Sequence, residues 1–109
     1  LENGLSQLEG TPGRFPQISG GRVVVDPARP VGQRLVSLAI DGEPVDPEAT
    51  YRVATNDFLL RGGDGYESLG RGEVIVPATD GPLLANAVVE HLARLGAIDA
   101  TAEGRITFR

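Results

Sequence analysis

The chain has 109 residues, enough for one small domain around one hydrophobic core. Its net charge is −5, with 15 acidic residues against 10 basic ones, all of them arginine; this excludes the basic stripe by which proteins grip polymeric nucleic acid. The absence of cysteine excludes disulfides and thiolate metal sites, and no run of about eighteen apolar residues is present to span a membrane.

In chain order, residues 1–9 read as the end of an amphipathic helix already under way. With no start methionine and no signal-like segment, the chain reads as a piece of something longer. Gly10, Thr11, Pro12 and Gly13 form a loop by their turn chemistry, and Phe15 follows it. The β-branched run at 22–26 predicts a strand, stopped by Pro27 and by the turn signal Arg29-Pro30-Val31-Gly32.

Val36, Leu38 and Ile40 then share one face of a second strand, and Asp41-Gly42 is a two-residue hairpin turn. Glu43-Pro44-Val45 returns as a short strand, confined to a sheet edge or strand end because Pro44 has no N–H to donate. A third strand over 50–56 leads into Gly62-Gly63-Asp64-Gly65. The apolar run at 73–76 predicts another strand.

The clearest helix follows, with Thr79 or Asp80 as its cap, Pro82 in its first turn and Gly96 at its left-handed C-terminal position. Leu84, Val88, His91, Leu92 and Leu95 share one face of it. A last strand over 105–108 returns to the sheet. Helices are segregated from strands, which predicts an α+β fold: a single small domain with a mixed β-sheet, a hairpin and one or two packed helices.

Several residues stand out for chemistry. Phe15 and Phe58 both sit at the edges of glycine-containing loops, where two rings could clamp a flat ligand or plug the edge of the core. The backbone of Gly62, Gly63 and Gly65 can reach positive φ and approach a ligand closely. Between them, Asp64 either accepts two hydrogen bonds from a vicinal diol such as a ribose or bonds its own turn. Gly62-Gly63-Asp64-Gly65 is not a dinucleotide fingerprint, since the third glycine is misplaced and no long helix follows at once.

As one turn of a calcium-binding repeat it would lack copies to stack on. The single histidine, His91, lies on the apolar side of a helix, where packing is the commoner role. One histidine cannot build a two-metal hydrolase site, and no local motif offers it a nucleophile. Arg14 and Arg61 are each adjacent to a candidate, but solvation is the default for a charged side chain.

Taken together, these segments resemble the C-terminal domain of the 5′-nucleotidase family, which includes UDP-sugar hydrolases and 2′,3′-cyclic nucleotide phosphodiesterases. The resemblance covers nearly the whole chain. Its signature is Thr55-Asn56-Asp57-Phe58-Leu59 with Gly62-Gly63-Asp64-Gly65-Tyr66. Gly13-Arg14-Phe15-Pro16-Gln17-Ile18-Ser19-Gly20, Arg29-Pro30-Val31-Gly32-Gln33-Arg34 and Glu103-Gly104-Arg105-Ile106 support it.

The resemblance implies that Phe15 and Phe58 sandwich a nucleobase, that Asp64 binds the ribose hydroxyls and that Gln17 contacts the base edge. It further implies that residues 1–109 are a fragment of the C-terminal, substrate-binding domain. That fragment lacks the domain's upstream asparagine and arginine ligands and the N-terminal metallophosphatase domain. Catalytic residues, and two divalent metals such as Zn or Mn, would belong to that missing domain, with no catalytic or metal-binding residue here. The implied ligand is a nucleotide or nucleoside, and the implied location is periplasmic, secreted or cell-surface. The alternative is a non-catalytic interaction or dimerisation domain on the same fold.

Overall fold

The computed structural model describes residues 1–8 and 12–109. Part of the predicted first loop, Gly10 and Thr11, and the last residue of the predicted helix end, Glu9, lie outside the described residues. The chain divides into two compact units, Leu1–Arg52 with Ala102–Arg109, and Val53–Thr101.

The first unit is built on a mixed four-stranded sheet. Its strands are β1 (Gly21–Val25), β2 (Leu35–Ile40), β3 (Glu43–Pro44) and β4 (Ile106–Phe108), in the order β3-β2-β1-β4. β1 pairs antiparallel with β2 and parallel with β4, while β2 pairs antiparallel with β3. The hairpin forms as the sequence predicts: Asp41 and Gly42 both take positive φ, 52° and 87°, which matches the right-handed twist of the flanking strands. Pro44 lies on the edge strand, where its missing N–H breaks no interior ladder.

The core of this unit is small. Leu5, Val23 and Val25 are buried, and Phe15, Ile18, Leu35, Leu38 and Ile106 pack against them. Side chains two apart on a strand share a face, so Val23 and Val25 point together toward the short helix α1 (Glu2–Leu5). Full burial of a valine or leucine side chain is worth about 1.5–3 kcal/mol.

Polar contacts fasten α1 to the start of β2. The Glu2 carboxylate accepts the backbone N–H groups of Arg34 at 3.1 Å and Leu35 at 2.6 Å. The buried Arg34 guanidinium donates through Nη1 to the Leu5 carbonyl at 2.8 Å. A 3-10 turn, Pro12–Arg14, precedes Phe15.

The second unit contains α2 (Asp57–Leu60), 3-10 turns at Gly63–Gly65 and Glu67–Arg71, and α3 (Leu84–Leu95). Two predicted strands do not form. Residues 50–56 are irregular, and the Tyr51 phenol oxygen accepts the Asp46 N–H at 2.8 Å, tying Tyr51 to a turn. The apolar run at 73–76 bends with Val74, Ile75 and Val76 exposed. Apolar content alone does not supply the neighbour whose N–H and C=O groups a strand must pair with.

The predicted helix is present, but it starts later than its expected caps. Leu83 is the N-cap and offers no side-chain bond, while the Thr79 hydroxyl donates to Asp80 at 2.8 Å. Gly96 does close the helix, with its N–H on the Leu92 carbonyl at 3.0 Å, but at φ 72° and ψ −97° it lies outside the left-handed helical region expected of it.

Candidate functional site

The residues singled out by sequence fall in two groups. Phe58, Asp64 and the three glycines belong to the second unit, and Phe15 and Gln17 to the first.

In the second unit the loop is built from the cap of α2 onward. The Asn56 side chain accepts the Leu59 N–H at 2.8 Å, the standard device for satisfying an orphan donor at a helix start. This places Phe58 in the first turn of α2, with 55% of its surface exposed. An Arg61–Asp57 pair at 3.3 Å spans the same turn on the surface and contributes little.

The chain then reverses through Gly62 at φ 88°, Asp64 at φ 54° and Gly65 at φ 78°. The turn is held by the Gly65 N–H on Gly62 O and the Tyr66 N–H on Gly63 O, both at 3.1 Å. Glycine takes such angles without cost, and aspartate is one of the few other residues that tolerates them.

Gly63 has a different reason to be glycine. A Cβ there would lie 2.5 Å from Phe58 Cε1 and 2.6 Å from Cδ1 and Cζ, so the ring occupies the space a side chain would need. The structure thus brings Phe58, Gly63 and the half-buried Asp64 together in one loop. Tyr66, which the sequence reading used only as part of the motif, is buried at its base. Burial, and then the adjacent Asp64 carboxylate, push the Tyr66 phenol above its ordinary value of 10.0.

In the first unit Phe15 is half-buried against the core, so it does seal the edge of the Leu5–Val23–Val25 cluster. Gln17 is exposed beside it. Both line an open groove of about 280 Å³, together with Ile18, Glu103, Arg105 and Phe108.

The Phe108 ring, which was not singled out from sequence, stacks on Phe15 with centroids 6.2 Å apart and planes 25° apart. The alternation of Ile106 and Phe108 along β4 was the available signal. His91, also weighed from sequence, is exposed on α3. Among the described residues, no three histidine, aspartate or glutamate side chains converge to hold a metal ion.

Residues 1–71 match the family model "5′-nucleotidase, C-terminal domain". The chain is 34% identical over 116 residues to the trifunctional nucleotide phosphoesterase protein YfkN of Bacillus subtilis, covering 97% of this chain and 8% of that protein. It is 34% identical to a snake venom 5′-nucleotidase of Gloydius brevicauda, over 88% of this chain and 17% of the venom enzyme.

The crystal structure of a 5′-nucleotidase precursor from Thermus thermophilus superposes with a TM-score of 0.85 at 40% identity, over 99% of this chain and 22% of that one. The chain thus spans under a quarter of each of these three relatives. Family model, sequence relatives and structural neighbour converge: this chain belongs to the 5′-nucleotidase family, within its C-terminal domain.

Proposed function

We propose that this chain recognises the nucleoside part of a nucleotide for a metal-dependent phosphohydrolase of the 5′-nucleotidase type. Phe15 and Phe58 stack on the base, Asp64 accepts hydrogen bonds from the ribose hydroxyls, and Gln17 reaches the base edge. The observation that carries this reading is the Phe58–Gly63 contact: an exposed ring is seated on a glycine that has no room for a side chain, immediately before the Asp64 carboxylate. An exposed phenylalanine seated this way gains little as core packing and is well placed as a platform.

Residues 1–109 then form part of the substrate-binding domain. The rest of that domain and a metallophosphatase domain, with its two divalent metals such as Zn or Mn, lie elsewhere in the intact protein. The phosphate chemistry belongs there. Its contribution is positioning: fixing base and ribose fixes where the phosphate sits, and such orientation supplies a large share of many rate enhancements. The likeness to venom enzymes supports a secreted, periplasmic or cell-surface location.

Calorimetry of the intact protein with AMP tests the reading. Base stacking on an aromatic ring is worth about 1–3 kcal/mol, so Phe58→Ala is expected to weaken binding by roughly five- to 150-fold. Wild-type affinity in both Phe58→Ala and Asp64→Ala would refute the clamp.

A second reading, an interaction or dimerisation domain, is favoured by the exposed Leu84, Val88, Leu92 and Leu95 of α3. It predicts self-association in sedimentation and no nucleotide-dependent NMR shifts at Phe15 or Asp64. A monomer with such shifts excludes it.

A further inference from the structure

We propose that residues 51–56 are a docking strand, and that in the intact protein they pair with an extended segment from the part of the same C-terminal domain that lies outside residues 1–109. The inference rests on the reading above that the rest of that domain lies elsewhere in the intact protein. It is independent of the nucleotide clamp.

The segment has the sequence of a strand without the neighbour of one. Tyr51, Val53 and Thr55 alternate with Arg52, Ala54 and Asn56, and aromatic and β-branched side chains at that spacing suit a pleated surface. All six residues are nonetheless exposed, Val53 by 69%. Among the described residues, no hydrogen bond joins the backbone groups of residues 52–55 to another part of the chain. What is left is an open row of donors and acceptors, with neither proline nor lysine to blunt it and Arg52 as its one charge. Such a row is a template for another strand, and proteins cover it.

The comparison structure points to the occupant. Residues 1–109 superpose on the Thermus thermophilus 5′-nucleotidase precursor over 99% of their length at a TM-score of 0.85, while more than three-quarters of that chain lies outside the match. A chain of that kind has ample length to supply the missing strand within one molecule. A segment tethered by a short linker sits at an effective concentration on the order of millimolar. It also avoids the translational and rotational cost that a second copy pays on docking.

The docking strand leads straight into the candidate site. Asn56 ends it with an extended backbone, φ −82° and ψ 166°, and caps α2 by accepting the Leu59 N–H. Phe58 stands two residues beyond. Pairing residues 52–55 therefore fixes where α2 begins, and with it the backbone that carries the Phe58 ring.

Hydrogen exchange of the intact protein, without nucleotide, tests the proposal. Successive N–H groups of a strand point to opposite edges. Pairing on one edge protects either Arg52 and Ala54 or Val53 and Thr55, and pairing on both edges protects all four. The protected amides are expected to exchange roughly a hundredfold or more slowly than in an unfolded chain. Exchange of all four at the unfolded rate overturns the proposal. So does protection that is lost on dilution to a monomer in sedimentation, which assigns the partner to a second copy.

Proline variants give a second readout, since Val53→Pro and Ala54→Pro each remove one N–H. With one edge paired, one of them should lower the urea midpoint far more than the other; with both edges paired, both should lower it. Val53→Ile should match wild type. Wild-type midpoints in both proline variants overturn the proposal. None of these measurements uses a nucleotide, so this inference and the clamp tested by Phe58→Ala fail separately.

Discussion

Phe58 lies so close to Gly63 that a methyl group on Gly63 would overlap its ring, at 2.5 Å from Cε1. The ring is exposed and can turn away, so Gly63→Ala should displace it at a cost of only about 0.5–1.5 kcal/mol for the off-rotamer side chain. The expected outcome is a nearly unchanged urea midpoint with a severalfold loss of AMP affinity. In a Phe58→Ala background the same substitution should have no further effect on affinity, and a double-mutant cycle reads that coupling.

Asn56 holds the first turn of the helix that carries Phe58, through its bond to the Leu59 N–H. Replacing it with alanine leaves that donor to water and should destabilise the protein by about 0.5–2 kcal/mol. Chemical denaturation measures the loss, and faster hydrogen exchange at the Leu59 amide locates it.

Asp64 has a backbone requirement and a chemical one, and two substitutions separate them. Its φ of 54° is tolerated by asparagine and resisted by a β-branched residue. Asp64→Asn should therefore keep stability within about 0.5 kcal/mol, the usual range for such sites, while weakening AMP binding. Asp64→Val should lose both. With a 2′,3′-dideoxy nucleotide as probe, Asp64→Asn and wild type should bind alike, because the diol that the carboxylate holds is gone.

Tyr66 supplies a pH signature. Its phenol is pushed above the ordinary value of 10.0, first by burial and then by the Asp64 carboxylate. The folded form thus favours the neutral phenol. That contribution is present in full below the unfolded value, pH ~10, and is lost as pH rises through the higher folded value. Urea denaturation at increasing alkaline pH should show a steeper loss of stability for wild type than for Tyr66→Phe. Parallel profiles would contradict the assignment.

Glu2 links helix and sheet in the first unit by accepting two backbone N–H groups, from Arg34 and Leu35. Glu2→Ala strands both donors in a partly buried place. A lost hydrogen bond of this charged kind costs about 1.5–3 kcal/mol, to be read as a lower denaturation midpoint.

How much of this was legible in the sequence follows from which forces are local. Asp41-Gly42 forced its own hairpin, Pro44 forced its own edge, and Gly96 closed its helix, because each acts through its own backbone angles or missing N–H. Residues 50–56 and 73–76 looked like strands because their apolar and β-branched content fits one, but a strand also needs a partner that no local pattern reveals. Thr79 and Asp80 were suitable caps placed too far upstream, and nothing short of the helix's first turn shows where it begins.

At the site, the glycines and Asp64 were readable as a loop with positive φ. The contact between Gly63 and Phe58 depends on where the Phe58 ring turns, five residues away. The stacking of Phe108 on Phe15 was not legible because the two rings are distant in sequence and meet only in the fold.

The most direct test of the central claim is a crystal structure of the intact protein with AMP bound. The account predicts the adenine ring between Phe15 and Phe58, with the ribose hydroxyls within hydrogen-bond distance of the Asp64 carboxylate. An AMP molecule bound with its base away from both rings and its ribose away from Asp64 would contradict it.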